Sequence, residues 1–279
     1  MTDVPKESPR AILFQFVVFP LGIVAIAVAI FFLFGKLASD EQSIPEYLNE
    51  VQSGGRRERW QAAYQLSQLI NAGEAKKYPN LVDDIGRVFA DSKSDDPRIR
   101  QYLAMVLGKL RDPRATPLLV DALSDQSVET RVYAALALGQ VKDASAVPPL
   151  LEVFARDERD VRKAAAWSLG EIGDARAAEA LAAALNDPTP DIRYNAALAL
   201  ARLGDGRAIG VVREMLDRSR LDSVTGMRPD QKEQTMLAAI PALVKLAPEE
   251  APAILGPIAK SDASLVVRSA AREALEKRP

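Results

Sequence analysis

From Ala11 to Gly35 the chain carries no charged side chain, and Gln15 is the only clearly polar residue in that run. These 25 residues as a helix would reach about 37 Å, against roughly 30 Å of bilayer hydrocarbon. A helix buried in a soluble core shows a polar face, and this one has none. A cleaved signal peptide has a shorter apolar region and small residues before the cut, whereas Lys36-Leu37-Ala38 places a lysine there. The pattern predicts a tail over residues 1–10 and an uncleaved single-pass transmembrane helix over residues 11–35. Lys6 and Arg10 precede the span, while Lys36 is followed by Asp40 and Glu41. The positive-inside bias then leaves the N-terminus cytoplasmic and the body of the chain extracytoplasmic. Residues 36–55 are polar, hold Pro45 and Gly54-Gly55, and read as a linker.

Beyond the linker the pattern repeats. Arg100, Arg131, Arg162 and Arg193 stand 31 residues apart, as do Asp112, Asp143, Asp174 and Asp205. Leu107, Leu138, Leu169 and Leu200 keep the same interval, and so do Leu123, Phe154, Leu185 and Leu216. Each unit holds two apolar segments of helical period, such as VETRVYAALALGQV and AVPPLLEVFARD, with Asp-Pro and Gly-Asp pairs at the junctions. No run of β-branched residues suggests a strand. A two-helix unit cannot bury its own apolar face, so successive units must stack into one core. The fold class is all-α: an α-solenoid of two-helix repeats over residues 56–279, following the N-terminal span.

The segments IRQYLAMVLGKLRDPRATPLLVDAL, VRKAAAWSLGEIGDARAAEALAAAL and DIRYNAALALARLGDGRAIGVVREML resemble HEAT repeats, in the short form of the phycobilisome lyases. The resemblance implies that the arginine-led helix is the inner one, lining the concave face. It implies that the preceding segment, with Pro117 or Pro148, is the outer one. It also implies that the repeat arginine pairs with an aspartate of the preceding turn, Asp125 or Asp187, in a ladder between units. Two departures stand out. Arg59 precedes Arg100 by 41 residues, and aligning ALVKLAP with ALARLGD puts Met236 in the arginine column, 12 residues late. The surplus lies in residues 217–234, which read either as a partner-contacting loop or as a tolerated excursion. Arg268 opens a last half-unit whose Arg272, Glu273, Glu276 and Lys277 form a polar cap.

Composition narrows the chemistry. With 36 Lys+Arg against 38 Asp+Glu and a net charge of −2, no nucleic-acid footprint is expected. The chain has no cysteine and no histidine. That removes thiolate nucleophiles, Zn–Cys sites, the commonest general base and the commonest metal ligand. HEAT-like di-iron hydroxylases use His-Glu motifs, which cannot be built here. The glycine column Gly108, Gly139 and Gly170 reads as close helix approach, and no phosphate-binding G-x-x-x-x-G-K-[ST] is present. Carboxylate pairs such as Glu249-Glu250 and Asp95-Asp96 fall in polar turns. No catalytic, cofactor-binding or metal-ligating residue is expected, and no enzyme.

The inner helices carry the more specific signal. Counting from the repeat arginine, positions +3, +4, +7 and +10 are apolar and form the core face. Position +5 points nearly opposite, flanked by +1, +2 and +9. HEAT repeats usually place charges at +5, yet here stand Tyr64, Met105, Leu136, Trp167 and Leu198. The +2 column adds Tyr102 and Tyr133, and the +1 column adds Trp60, Val132 and Tyr194. Both tryptophans and most tyrosines fall on this stripe, with Lys109, Gln140, Glu171 and Arg202 at +9 as a mixed-charge rim. An apolar strip on a face that is normally charged predicts a concave groove for a partner protein, either an amphipathic helix or an extended apolar peptide. Solenoid curvature that buries the column is the other reading. The function expected is a membrane-anchored scaffold, adaptor or accessory subunit. The alternative is a lyase or chaperone-like protein holding an apolar pigment or lipid.

Overall fold

The computed structural model describes residues 19–38, 43–71, 73 and 77–277. The chain divides into two compact units, Met1–Glu46 and Tyr47–Pro279. The first contains helix α1, Phe19–Ala38, whose side chains from Leu21 to Phe31 are all exposed.

Among the described residues no helix is long and apolar enough to cross a membrane. Residues 11–18 of the expected span lie outside the described residues. The single-pass anchor, the orientation inferred from it and the membrane localisation are corrected accordingly.

Where a linker was expected, residues 44–53 form helix α2, Ile44–Ser53. Val51 is fully buried, and its carbonyl accepts Arg59 Nε at 2.6 Å. The solenoid continues with α3 (Arg56–Leu69), α4 (Leu81–Asp91), α5 (Pro97–Leu110), α6 (Thr116–Asp121), α7 (Val128–Val141) and α8 (Val147–Arg156). Then follow α9 (Arg159–Ile172), α10 (Ala178–Ala183), α11 (Pro190–Leu203), α12 (Ile209–Leu216), α13 (Arg218–Ser223), α14 (Pro229–Leu246), α15 (Ala251–Ser261) and α16 (Leu265–Glu276). Every regular element among the described residues is helical.

The inner layer is formed by α3, α5, α7, α9, α11, α14 and α16, each packed on the next; all but α14 carry the repeat arginine. Outer helices α4, α6, α8, α10, α12 and α15 each pack against the inner helix that follows. The repeat leucines Leu107, Leu138, Leu169 and Leu200 are fully buried between the layers. The aspartate column starts each inner-to-outer turn. Asp112, Asp143, Asp174 and Asp205 accept the amide two residues on at 2.9, 2.9, 2.9 and 3.0 Å, opening a short 3-10 turn.

The glycine column sets how closely the inner helices approach. A methyl on Gly139 would sit 2.8 Å from Ser168 Cα, and one on Gly170 would sit 2.7 Å from Ala199 Cα. Backbone cannot yield as a side-chain tip can, so these helices touch only because the column lacks Cβ atoms.

The arginine column forms the expected ladder with a different wiring. The carboxylate of Asp125 accepts Arg100 Nε at 2.8 Å, so it reaches the arginine of the unit before it, not Arg131. Arg131 takes the Asp125 carbonyl instead, at 3.0 Å, and pairs its own guanidinium with Asp157 at 2.9 Å. Asp187 repeats the arrangement, with Arg162 on its carboxylate at 2.6 Å and Arg193 on its carbonyl at 2.9 Å. Arg59 and Asp95 extend the ladder backwards through two bonds of 2.9 and 2.7 Å.

Burial pushes the Asp187 carboxyl up, but the Thr189 amide and Arg162 outweigh it and hold the group below the usual carboxylate range. Asp262 is likewise penalised by burial and held low by Arg218 and the Ser264 amide. A depressed folded pKa contributes stability that is present above the unfolded value and lost as pH falls through the folded one. The urea midpoint is therefore expected to hold level from neutral pH to about 5 and to fall below about 4. A midpoint that stayed level to pH 3 would remove the ladder's energetic role. Gly139→Ala is expected to lower stability by about 1–3 kcal/mol through forced separation of α7 and α9, read as a lower urea midpoint.

Candidate concave binding groove

The +1, +2 and +5 columns of the inner layer meet on one face in the middle units. Val132, Tyr133 and Leu136 of α7 and Trp167 of α9, all half-buried, line a cavity of about 560 Å³. Val128, Glu129, Asp160, Lys163, Ala164 and Asn195 complete its wall. Toward the N-terminal end, Tyr64 is 40% exposed and meets Tyr102 edge-on, with ring centroids 5.3 Å apart. The Arg98 guanidinium lies 4.1 Å from the Trp60 ring centroid, a stacked cation–π contact. Trp60, Tyr102, Met105 and Leu198 are half-buried and lie outside the cavity wall.

Tyr194 departs from the stripe. It is buried, with 4% exposed, and its hydroxyl donates to Glu214 Oε1 at 3.0 Å beside Arg193. Burial, reinforced by Glu214, pushes its hydroxyl up to about 12. This side chain belongs to the contact between α11 and α12. The half-burial of Met105, Leu136, Trp167 and Leu198 follows from the close inner-helix packing, which shades each of them with its neighbours.

A second concavity of about 650 Å³ opens at the C-terminal ends of the inner helices. Trp167 borders both hollows, and the second adds Lys109, Arg111, Gln140, Lys142 and Glu171. Arg111 and Lys142 were not among the expected residues. They occupy the helix C-cap with φ of 53° and 62°, where the next two units place Gly173 and Gly204. The aligned ends LGKLRD, LGQVKD, LGEIGD and LARLGD carried that signal.

The 217–234 segment is largely structural. It contains α13, whose Leu221 is fully buried. From its start Arg218 forms two bonds, 2.8 and 2.6 Å, to Asp262, a residue only 8% exposed. Asp262 stands where the missing arginine of Met236 would find its partner, and its carbonyl accepts Arg268 at 2.6 Å. The insertion supplies in space the cation that the repeat lost in sequence.

Among the described residues no cluster of carboxylates could hold a metal ion. Stacked helix pairs with a groove on the inner layer define an α-solenoid. The sequence matches the family of HEAT repeats over residues 90–169 and 155–228, and the chain is a HEAT-repeat protein. No curated protein matches it. The structure is similar to that of the complex of CpcE and CpcF of phycocyanin lyase from Nostoc sp. PCC7120, at 21% identity and a TM-score of 0.59, covering 85% of this chain and 88% of that one. It is also similar to YibA of Escherichia coli, at 17% identity and a TM-score of 0.50, covering 86% and 84%. At these identities the likeness is one of fold.

Arg218→Ala is expected to cost about 2 kcal/mol by stranding the buried Asp262 carboxylate, whereas Arg220→Ala on the same helix should change stability by less than about 0.5 kcal/mol. Paired urea titrations of the two variants check this; equal midpoints would deny the insertion its role in the ladder.

Proposed function

We propose that the solenoid is a protein-binding scaffold, an adaptor or accessory subunit that seats a segment of a partner protein in its concave groove. The observation that carries this reading is the hollow walled by Val132, Tyr133, Leu136 and Trp167, with further half-exposed aromatics along the same layer. Large aromatic side chains in a concave wall provide the contact area that anchors a partner helix or peptide. The similar Nostoc structure is itself a complex of two proteins. In this chain neither catalytic histidine nor cysteine exists to turn the groove toward the commonest covalent or acid–base chemistry.

A second reading rests on the cavity's size. About 560 Å³ with a largely apolar wall suits a small apolar molecule, a pigment or a lipid, held by a lyase or chaperone-like protein. Solvent extraction of the purified protein followed by mass spectrometry separates the two. A stoichiometric chromophore or lipid supports the second reading, and a stoichiometric protein supports the first.

Trp167→Glu places a charge where both hollows meet. It is expected to weaken partner capture at least tenfold while leaving helical content unchanged, measured by crosslinking mass spectrometry and circular dichroism. Unchanged capture by a folded variant would place the binding surface elsewhere.

A further inference from the structure

The groove has a charge direction. At the N-terminal ends of the inner helices the cavity wall carries Glu129 and Asp160 against Lys163. At the C-terminal ends the second hollow carries Lys109, Arg111 and Lys142 against Glu171. Glu171 is already shared, with Lys142 at 3.2 Å and Arg202 at 3.0 Å. Lys109 donates to the neutral Ser67 carbonyl, so its charge is not cancelled there. Among the described residues neither Lys109 nor Arg111 is paired with a carboxylate. Among the described residues the basic rim therefore keeps an excess of positive charge beside Trp167.

Local backbone conformation points the same way. Left-handed φ is strained for any residue with a Cβ, and glycine adopts it freely. Units ending at Gly173 and Gly204 use glycine, with φ of 75° and 77°. Of the units whose ends line the basic hollow, two hold Arg111 and Lys142 at the same position, with φ of 53° and 62°, and both of these side chains are in its wall. Strain that persists where a strain-free residue serves the neighbouring units marks a place where the side chain has another task. Cations at helix C-termini also suit the helix dipole, but that benefit applies equally to the two units that carry glycine.

We propose that the groove's occupant is a protein segment that sets an apolar anchor against Trp167 and acidic side chains over Lys109, Arg111 and Lys142. This rests on the scaffold reading above and names the partner's chemistry. Attraction between such charges is partly solvent-screened, so binding weakens as salt rises.

The test is selection of helix-forming peptides from a displayed random library on the full chain. Affinities of the winners are then measured by fluorescence anisotropy. Sequences joining an aromatic or branched apolar anchor to a run of Glu or Asp are expected, and their affinity should fall at least tenfold in Arg111→Gly/Lys142→Gly. That double variant relieves the left-handed strain, so its thermal midpoint should hold or rise, and lost binding then cannot be lost folding. Selection of apolar sequences with no acidic enrichment, or full binding by the double glycine variant, overturns the inference while leaving the scaffold reading in place. Failure to select any sequence, or winners indifferent to Trp167→Glu, sinks both.

Discussion

The repeated arginine is the constraint on which the solenoid depends. Arg100 is 2% exposed, and a guanidinium that deep must be answered on every side. It donates to the Phe89 carbonyl at 2.6 Å, to Asp125 at 2.8 Å, and lies 4.2 Å from the Phe89 ring centroid. These answers come from α4 on one side and from the turn before α7 on the other, so the arginine is satisfied only when consecutive units are stacked in register. Asp125 and Asp187 each serve two arginines at once, through carboxylate and carbonyl, and Arg162 takes the Phe154 carbonyl in the unit between them. Isolated two-helix units would leave these charges half-answered, as a quasi-one-dimensional array demands. Met236 shows how firm the constraint is: where the column loses its arginine, an added helix brings Arg218 to the waiting Asp262.

That division assigns the faces of each inner helix. Core leucines and the glycine column face along the stack, the arginine edge faces the next turn, and what remains is the strip bearing Tyr133, Leu136 and Trp167. The strip is apolar without being needed for stacking, which is why a binding role suits it. Its half-burial is the mark of side chains shaded by neighbours yet still open on one side.

Much of this was legible in the sequence because period and burial share a cause. Residues that must recur for units to stack recur visibly: Arg100 to Arg193, Leu107 to Leu200 and Gly108 to Gly170 lie where the 31-residue interval puts them. Features without a period were harder. Pro45 and Gly54-Gly55 suggested a linker, yet proline is well tolerated in the first turn of a helix, and α2 begins one residue before it. Tyr194 looked like a groove residue on a wheel drawn for one helix, but Glu214 of the neighbouring outer helix claims its hydroxyl. The ladder's wiring depends on which unit a carboxylate reaches, which spacing alone leaves open. The apolar N-terminal run reads from composition as a span, whereas among the described residues no helix is long and apolar enough to cross a membrane. Arg111 and Lys142 were visible in the sequence, but their meaning needed φ.

The glycine contacts have a consequence for the groove's radius. Inner helices that touch through Cα-to-Cα surfaces are spaced more tightly than outer helices separated by full side chains. A stack pinched along one layer must bend toward it, and the bend sets the width of the hollow that Trp167 occupies. Three buried residues with no side chain, Gly108, Gly139 and Gly170, thus act as the gauge of the groove. Evolution could widen the opening for a different guest by changing them alone, leaving every side chain that meets the guest as it is.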